Sequence, residues 1–426
     1  MKKTVLILYS EHYDTSALAL KDYLEADGRY DVVAVSEREY DNFRYLRSYR
    51  DFYRFTYRKF PAINNVIVNL PTAAVKRKKD SDGNIVNFKP NSETYQRFRK
   101  FDNIAMRFDA HYVICTTQYS LRKAVIAREK YNLQGKIFAL LTDYVLQDNF
   151  VSLDIDGYFV VTKKAKHALI NKGVEDNKIF VIHMPLPPAT PVKRSKEEIK
   201  KQFDIRNDLP TLMVVGGRYG SKYLYDALVN VCEKEEFNIL VFVDGNIGVN
   251  KKFKRYAKNN FVSNNVYIVQ KINDLSRAYY IADYILAAPT SAICYEALLR
   301  KIPLILMDGA NNVENKNSKY LVASGYAYSG INKKRIDRAL EEIDKSREQW
   351  AKFCETRVKD DGCEQFLTCL NLIDEGKDPI EEYLNRTVIM EDEGSKVVVD
   401  VEDAETSANE ENTIKKKKKG FFKRRK

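Results

Sequence analysis

Histidine, cysteine and long apolar runs are all scarce in this chain. Its 426 residues include four histidines, which stand singly, and six cysteines without a CxxC pair. A structural zinc site needs clustered ligands, and a disulfide scaffold needs dense cysteines, so neither is expected. The cysteine pattern favours a reducing compartment, and we predict a cytoplasmic location.

No stretch approaches the roughly 18 uninterrupted apolar residues that a membrane-spanning helix needs, so none is predicted. The first residues, MKKTVLILYSEHYD, begin like a secretion signal. Their apolar run is only about six residues long and charges follow at once, which indicates a first β-strand. With 44% hydrophobic residues and only 17 glycines, the composition is typical of a globular chain of two domains, not of a disordered or fibrous one.

Charge is distributed unevenly along the chain. Residues 415–426 carry nine positive charges and no negative one, whereas residues 391–411 hold nine acids and one lysine. The net charge of +12 therefore leaves +11 on residues 1–390. We expect a disordered acidic linker before a polybasic end, which gains about 1 kcal/mol per Lys or Arg near an anionic membrane, with Phe421 and Phe422 entering the interface. A solubilising or nucleic-acid-binding tail is the alternative, but the body has no nucleic-acid-binding motif, and we predict no nucleic-acid partner.

The densest basic stretch of the body is FRYLRSYRDFYRFTYRKF, residues 43–60. At about 100° per residue, arginines fall within one third of a helix circumference: Arg44, Arg47, Arg50, Arg54 and Arg58. Aromatic residues cluster on the opposite face: Tyr45, Tyr49, Phe52, Tyr53 and Phe60. A cationic, aromatic helix is typical of an element on a membrane surface. The alternative is that the aromatics pack on the core and the arginines are solvated.

Apolar, strand-like runs alternate with helical patterns. TVLILY, DVVAVS, HYVICTT, KIFALLT, GYFVVT and KIFVIH precede a proline-rich break at 185–191, and LMVVGG, NILVFVDG, NVYIVQ, DYILAA and PLILMD follow it. Near-continuously apolar strands joined by helices indicate parallel sheets covered on both faces. We predict an α/β fold of two facing Rossmann-like domains, residues 1–190 and 191–385, and a tail at 386–426. The helical stretch 333–385 either closes the second domain or crosses back to the first.

One motif of the second series is glycine-rich. In VVGGRYGS a strand ends at Gly216 and Gly217, and Gly220 follows. Glycine lets backbone N–H groups approach a phosphate at a helix N-terminus. The motif matches neither a dinucleotide fingerprint nor a P-loop, so an ordinary strand-to-helix turn is the alternative.

A second motif, DYILAAPTSAICYEALL, combines a strand, a proline stop and the start of a helix. Thr290 and Ser291 are candidate caps for that helix. Glu296 lies on it, where a carboxylate could accept hydrogen bonds from both hydroxyls of a ribose. The alternative for Glu296 is an ordinary surface acid in an early helical turn.

Taken in order, these motifs and three further runs resemble the glycosyltransferases that make glycosyl-diacylglycerols, the monogalactosyldiacylglycerol synthase and processive diacylglycerol glucosyltransferase family. The runs are DAHYVICTTQYSLRKAVIAREK with LLTDYVLQDNF, DGYFVVTKKAKHALINKGVEDNKIFVIHMPL, and YEAL…IPLILMD…ENKNSKYLVASGYA. The resemblance covers residues 3–375. It implies the GT-B fold and inverting transfer of a hexose from a UDP-sugar to a lipid acceptor such as diacylglycerol. The enzyme would act without a cofactor, as a peripheral protein on the inner face of the cell membrane.

The resemblance also implies a donor site. Its matching positions are Gly216, Gly217 and Gly220 near the diphosphate, Glu296 at the ribose of UDP, Glu314 and Asn317 near the donor sugar, and Val269 to Ile272 at the uracil. An exposed loop is the alternative for the positions at the diphosphate and the sugar. Arg218 and Lys222 could neutralise the charge of the diphosphate, unless both are simply exposed.

The chain departs from the family pattern at several of these positions. Thr290 and Ser291 replace a glycine pair before the ribose-binding acid, which limits close backbone approach to the diphosphate. Val313 replaces a glutamine beside the donor-sugar acid. The first loop, YSEHYDTS, lacks glycine and has Ser16 at the position of the catalytic histidine. Gln147 replaces the acceptor-side histidine.

Inverting transfer needs a base that accepts the proton of the acceptor hydroxyl. His12 lies four residues before Ser16 on the same predicted loop, and imidazole titrates near working pH. Asp143, in the retained TD pair at a strand end, is the other candidate. Asp154 and Asp156 in LDIDG mimic a metal-binding DxD motif, but we interpret them as a loop before a strand and predict no required metal.

Two further functions stay open. The changed positions suit a non-catalytic scaffold that binds a nucleotide or a lipid at the membrane. Another GT-B enzyme, such as a polyol-phosphate transferase or a sugar-nucleotide epimerase, is disfavoured by the order of the motifs.

Overall fold

The computed structural model describes residues 2–10, 13–40, 52, 55–60, 63, 78–79, 85–86, 110–131, 133–147, 150–188, 192–217, 222–243, 247–269, 275–386 and 390. All of them fall in one compact unit, Met1–Asp392. Several predicted residues lie outside the described part: His12, Arg44, Arg47, Arg50, Arg54, Arg218, Gly220, Ile272, Phe421 and Phe422. Within the described part, no helix is both long and apolar enough to cross a membrane.

The first half of the chain builds a six-stranded parallel sheet. Its strands are β1 (Lys3–Tyr9), β2 (Tyr30–Ser36), β5 (Tyr112–Cys115), β6 (Lys136–Leu141), β7 (Gly157–Val160) and β8 (Ile179–Val181). They lie in the order β2-β1-β5-β6-β7-β8. A separate antiparallel hairpin pairs β3 (Lys78–Lys79) with β4 (Ile85–Val86). The helices of this half include α1 (Asp14–Asp27), α2 (Glu37–Tyr40), α3 (Gln118–Tyr131) and α4 (Lys163–Ile170), and a 3₁₀ turn covers Asp176–Lys178.

The second half builds another six-stranded parallel sheet. Its strands are β9 (Thr211–Val215), β10 (Asn238–Phe242), β11 (Val266–Val269), β12 (Tyr284–Ala287), β13 (Leu304–Leu306) and β14 (Tyr328–Ser329). They lie in the order β11-β10-β9-β12-β13-β14. Its helices are α5 (Lys196–Gln202), α6 (Tyr223–Val231), α7 (Ile247–Tyr256), α8 (Ser276–Ile281), α9 (Ser291–Leu299) and α10 (Asn312–Ala323).

The predicted α/β class is confirmed, and each of the eleven predicted apolar runs contains a strand. Strands such as β9, β10 and β12 are buried along their whole length. A central parallel strand is covered by helices on both faces, which is why its sequence is continuously apolar. The two-residue strand β14 was not predicted, because so short a strand carries no recognisable pattern.

The C-terminal helices are divided between the two sheets. They are α11 (Lys333–Arg357), α12 (Gly362–Asp374) and α13 (Pro379–Glu382), followed by a 3₁₀ turn at Leu384–Arg386. α11 follows and contacts β14, whereas α12 packs on the first sheet, where the Phe366 ring lies 4.2 Å from that of Phe159. A Cβ at Gly362 would lie 2.4 Å from the carbonyl oxygen of His183. The chain therefore crosses back, and glycine allows the close crossing.

Both sheets have a point where the strand order reverses. In the first sheet, β1 pairs with β2 on one side and with β5 on the other. In the second, β9 pairs with β10 and β12, so that Leu212 lies opposite both Ile239 and Tyr284. In open parallel sheets ligands bind outside the carboxyl ends of the strands at such a point. The loops that follow these strands carry most of the candidate site residues.

Candidate active site

The switch point of the second sheet is formed by two loops in close contact. Gly216 and Gly217 follow β9 and are buried. Gly217 has a φ of +74°, and a Cβ there would lie 3.2 Å from Thr290 Cγ2 and 3.2 Å from the Tyr57 hydroxyl oxygen. Both the left-handed backbone and the close approach require glycine at this position.

Thr290 and Ser291 form the start of α9. Thr290 is the N-cap residue, with φ −83° and ψ 134°, but its side chain makes no capping hydrogen bond. The predicted capping by its hydroxyl is therefore wrong, and Thr290 Oγ1 is buried without a hydrogen-bond partner among the described residues. The Ser291 carbonyl accepts a hydrogen bond of 2.9 Å from the Tyr144 hydroxyl, which comes from the first half of the chain.

Glu296 lies within α9, as predicted, and is held by its own helix. Arg300, one turn later, donates to Glu296 Oε1 from Nη2 at 3.0 Å and from Nε at 3.3 Å. The Glu296 side chain is 29% exposed, so the carboxylate is partly open to solvent. The Arg300 guanidinium also lies 5.4 Å from the centre of the Tyr279 ring. The candidate ribose acid is thus fixed by an intrahelical ion pair with Arg300.

Glu314 is buried at the start of α10. Its backbone N–H donates to Asn311 Oδ1 at 3.0 Å, which caps the helix. Its carboxylate accepts from the Ala310 N–H at 2.7 Å and from the Tyr57 hydroxyl at 2.8 Å. Burial raises the pKa of Glu314 to about 7, and the charge of Asp143 also raises it, against the two hydrogen bonds.

Asn317 joins the two halves of the chain. It lies one turn after Glu314 and is 1% exposed. Its Nδ2 donates to Asp143 Oδ1 at 3.0 Å, and its Oδ1 accepts from the Tyr144 N–H at 3.2 Å. The structure therefore brings three predicted residues, Asp143, Glu314 and Asn317, to one place.

Asp143 follows β6 and receives hydrogen bonds from several directions. Besides Asn317, the Tyr13 hydroxyl and Gln147 Nε2 donate to its Oδ2, at 3.0 Å and 2.6 Å. Burial raises the pKa of Asp143, and these hydrogen bonds act in the opposite direction. A small cavity beside it is lined by Tyr13, Thr116, Thr142, Gln147 and Phe150, among others. A carboxylate with a raised pKa next to a cavity is suited to accept a proton.

Three positions that depart from the family pattern, besides Thr290 and Ser291, lie in the described part of the chain. Ser16 lies in α1 and is 3% exposed. Gln147 binds the candidate base Asp143 and accepts from Gln118 Nε2 at 3.0 Å. Val313 is half-buried in α10. Gln147 thereby orients Asp143, a role that its replacement of a histidine did not suggest.

The remaining predicted residues lie apart from this cluster. Lys222 is exposed and lies 5.3 Å from the Tyr223 ring. Asp156 accepts from Arg128 Nη2 at 2.5 Å and from the Ile137 N–H at 2.7 Å, so it supports the sheet. In the part of the chain that the structure describes, no group of three or more His, Cys, Asp or Glu residues is placed to hold a metal ion.

Two tyrosines of the cluster were missed by sequence reasoning. Tyr13 follows the candidate base His12, and this adjacency was a usable signal because loops after first strands line such sites. Tyr57 lies in the basic stretch 43–60, where four tyrosines alternate with arginines. No local pattern separates Tyr57, which contacts Glu314, from Tyr45, Tyr49 and Tyr53, which lie outside the described residues.

Comparison with known proteins supports the family resemblance. The model of the monogalactosyldiacylglycerol (MGDG) synthase family matches residues 72–186. A processive diacylglycerol beta-glucosyltransferase of Staphylococcus epidermidis is 26% identical over 203 residues, which are 47% of this chain and 51% of that protein. The chain thus spans about half the length of the curated relatives it matches. The predicted resemblance is confirmed over the matched part.

Solved structures share the fold at low identity. MurG from Acinetobacter baumannii aligns with a TM-score of 0.56 and 14% identity, over 88% of this chain and 99% of that one. A UDP-GlcNAc 2-epimerase from Neisseria meningitidis, bound to UDP-GlcNAc, aligns with a TM-score of 0.56 and 12% identity, over 86% and 99%. The GT-B arrangement of two parallel-sheet halves is confirmed. Because an epimerase shares it, the fold alone does not select the reaction.

Proposed function

We propose that the chain is a glycosyltransferase that moves a hexose from a UDP-sugar to a lipid acceptor such as diacylglycerol, with inversion. The observation that carries this proposal is the contact of Asn317 with Asp143 at 3.0 Å. It places a candidate donor-sugar residue of the second half against a candidate base of the first half. The name of the Staphylococcus epidermidis relative supports diacylglycerol as the acceptor class.

The donor would bind along the switch point of the second sheet. Gly216 and Gly217 would lie near the diphosphate, with Arg218, Gly220 and Lys222 beyond them. Glu296 would accept hydrogen bonds from both ribose hydroxyls, because its carboxylate is 29% exposed. The N-terminus of α9, with Thr290 and Ser291, would face the diphosphate, where a helix dipole favours negative charge. Val269 to Ile272 would contact the uracil.

The donor sugar would reach Glu314 and Asn317, next to Asp143. The acceptor oxygen attacks the anomeric carbon as its proton passes to the base, and UDP leaves from the opposite face, which inverts the configuration. Asp143 is the base that the geometry supports, because Tyr13, Gln147 and Asn317 fix its carboxylate and burial raises its pKa. His12 is the alternative. N–H groups and cations at the diphosphate stabilise the leaving charge, and we propose that no metal or other cofactor is required.

The acceptor lipid implies a peripheral position on the inner face of the cell membrane. Residues 1–190 would face the acceptor and the membrane, residues 191–385 would bind UDP, and the tail at 386–426 would reach the anionic surface. Two segments carry positive charge that an anionic membrane would attract: the arginine-rich stretch 43–60 in the first half and the polybasic end of the tail. No nucleic-acid partner is proposed.

The deciding experiment is isothermal titration of the full chain with UDP, UDP-glucose and UDP-galactose, beside Glu296→Ala. We expect saturable UDP binding in the wild type and at least a tenfold loss in the variant, since a hydrogen bond to a charged group contributes about 1.5–3 kcal/mol. Glu342→Ala is the matched control, because Glu342 is also held by an arginine four residues away, Arg338, at 2.7 Å. Absence of binding at millimolar nucleotide would refute a sugar-nucleotide site.

A second candidate function is a non-catalytic scaffold that binds a nucleotide or a lipid. One observation favours it: the chain's own Asn317 and Tyr57 occupy the oxygens of Asp143 and Glu314. Transfer of labelled hexose from a UDP-sugar to diacylglycerol in vesicles separates the two. UDP binding without transfer from UDP-glucose or UDP-galactose would favour the scaffold.

A further inference from the structure

Tyr144 directly follows the candidate base Asp143 and connects the two halves of the chain. Its side chain is fully buried. Its ring stacks on that of Tyr320 in α10, with centroids 5.9 Å apart and planes inclined by 19°. Its hydroxyl donates to the carbonyl of Ser291, the first residue of α9, at 2.9 Å. One side chain of the first half thus contacts both helices of the second half that carry candidate donor residues.

The backbone of Tyr144 is held on both sides of the residue. Its N–H donates to Asn317 Oδ1 at 3.2 Å, and its carbonyl accepts from Thr162 Oγ1 at 2.8 Å. Thr162 is itself fully buried and caps α4, because its hydroxyl oxygen accepts from the Ala165 N–H at 3.1 Å. Since these contacts fix the peptide of Tyr144, they also fix the main chain from which the Asp143 side chain extends.

The hydroxyl of Tyr144 has a role apart from packing, because a phenylalanine ring would fill the same space. Burial raises the pKa of Tyr144 well above its ordinary value, so the hydroxyl stays neutral and donates. The Ser291 carbonyl does not depend on this bond. A helical carbonyl also accepts from the N–H four residues later, and its oxygen has two lone pairs. The bond therefore supplies a defined position, not a partner for a group that would otherwise have none.

The first residue of α9 also contacts the candidate base. Burial raises the pKa of Asp143, and a hydrogen bond from the Ser291 side chain is among those that lower it. Ser291 replaces one glycine of the family pattern, and glycine would have no side chain for this contact. The start of α9, which would face the diphosphate, thus meets both Asp143 and Tyr144.

We propose that Tyr144 is a positioning residue for hexose transfer, whose hydroxyl bond to the Ser291 carbonyl holds Asp143 in place against the helix that meets the donor. Because Tyr144 is fully buried, it acts through Asp143 and not on the substrates. The inference rests on the proposed function, since it takes Asp143 as the base and α9 as the diphosphate site. A base must be held within about 0.5 Å of its working position, and a misplacement of about 1 Å costs about 100-fold in rate.

The test compares kcat for hexose transfer with the affinity for UDP in the full chain. Tyr144→Phe keeps the ring stacked on Tyr320 and removes only the hydroxyl. We expect kcat for transfer to diacylglycerol in vesicles, per folded protein, to fall about tenfold, because one neutral hydrogen bond is lost and the base is displaced. The affinity for UDP, measured by isothermal titration, should stay within about twofold, since Glu296 and the glycine loop are unchanged.

Tyr328→Phe is the matched control. Tyr328 is also buried, and its hydroxyl is hydrogen-bonded to Ser346 Oγ at 3.3 Å. Both residues of this pair lie in the second half, on β14 and α11, so the variant removes a buried tyrosine hydroxyl without touching the contact between the halves. Its kcat and its affinity for UDP should stay within about twofold of the wild type.

A second comparison places Tyr144→Phe in the Asp143→Asn background. Residues that act through one group have strongly non-additive effects on the rate. If Tyr144 acts only by placing the Asp143 carboxylate, its hydroxyl has nothing left to position once that carboxylate is gone. The double variant should therefore transfer labelled hexose at the same residual rate as Asp143→Asn alone.

Several results would overturn the inference. Wild-type kcat in Tyr144→Phe, or an equal loss in Tyr328→Phe, would show that the hydroxyl does not position the base. Equal losses of kcat and of UDP affinity would show that Tyr144 supports the donor site instead. A further tenfold loss in the Asp143→Asn background would separate Tyr144 from Asp143. A wild-type chain that neither binds UDP nor transfers hexose would refute the proposed function itself, which the other outcomes leave standing.

Discussion

Glu296 and the pair of Glu314 and Asp143 are held in opposite ways, although all three are candidate carboxylates of one site. Glu296 is bonded by Arg300 within its own helix and is partly exposed. Glu314 and Asp143 are hydrogen-bonded across the cleft between the two halves of the chain. Tyr57 of the first half binds Glu314, and Asn317 of the second half binds Asp143. The ribose end of the proposed site is therefore open to a ligand, whereas its sugar end is occupied by the chain itself.

This difference separates two kinds of cost for binding a donor. At Glu296 a ligand adds hydrogen bonds to a partly exposed carboxylate. At Glu314 and Asp143 it must replace hydrogen bonds that already satisfy the two carboxylates, and leaving a buried polar group unpaired costs about 1–3 kcal/mol. UDP should consequently gain most of its affinity at the ribose end. Binding at the sugar end should depend on movement of the two halves relative to each other.

The largest effect is expected at Asp143. Asp143→Asn keeps the size of the side chain but removes the carboxylate that would accept the acceptor's proton. We expect the rate of hexose transfer to fall about 10²- to 10⁴-fold, the usual contribution of a general base, with UDP affinity changed little. Transfer to diacylglycerol in vesicles, measured per folded protein, checks this.

The matched control for Asp143 is Asp156→Asn. Asp156 is also partly exposed and hydrogen-bonded beside the first sheet, immediately before β7, but it binds Arg128 and lies apart from the candidate site. Its transfer rate per folded protein should stay within about twofold of the wild type. Full activity of Asp143→Asn would mean that His12 is the base. The cluster of Asp143, Glu314 and Asn317 would then take no part in proton transfer.

The pH dependence of stability should distinguish Glu314. Its pKa is raised from 4.5 to about 7 in the folded chain. Below pH 4.5 the group is protonated in both states and has no effect. Between these values only the folded state keeps the proton, so the free energy of unfolding falls as pH rises, by about 3 kcal/mol in total. Above pH 7 the loss is complete and constant.

Glu314→Gln should abolish that fall, because a neutral amide has no proton to retain. Its oxygen can accept from the Ala310 N–H, and the Tyr57 hydroxyl can turn to accept from its NH₂ group. Urea unfolding at pH 5 and pH 8 measures the difference between the two proteins. Glu342→Gln, in an exposed ion pair, is the control and should keep the wild-type slope. An unchanged slope in Glu314→Gln would show that Glu314 is ionised and hydrated in the folded chain.

The third effect concerns the contact across the cleft. Asn317→Ala leaves the Tyr144 N–H and one oxygen of Asp143 without a partner in a buried position. We expect a loss of about 1–3 kcal/mol in the free energy of unfolding, measured by urea unfolding. Asn312→Ala, at an exposed position of the same helix, should change it by less than about 0.5 kcal/mol. Equal small losses would mean that water replaces Asn317 and that the cleft opens readily.

The sequence predicted the strands and the positions of the candidate carboxylates, but not the residues that hydrogen-bond to them. Apolar runs identify each buried strand, and the order of the motifs puts Glu296, Glu314 and Asn317 on the second half. The bond between Asn317 and Asp143 joins residues 174 positions apart, and that between Tyr57 and Glu314 joins residues 257 positions apart. Local periodicity carries no information over such separations. Only the packing of the two halves shows which carboxylates are already occupied.

The smallest effect should distinguish the two ends of the site most directly. Arg300→Ala removes the ion pair that orients Glu296, and i,i+4 pairs contribute about 0.3–0.5 kcal/mol, so we expect UDP affinity to fall about twofold. Arg338→Ala, which breaks the corresponding pair with Glu342, should leave titrations with UDP unchanged. If Arg300→Ala instead bound UDP more tightly, Arg300 would compete with the ribose for Glu296, as Tyr57 and Asn317 occupy the carboxylates at the sugar end. Both ends of the site would then be closed by the chain itself, and the contrast between Glu296 and Glu314 would disappear.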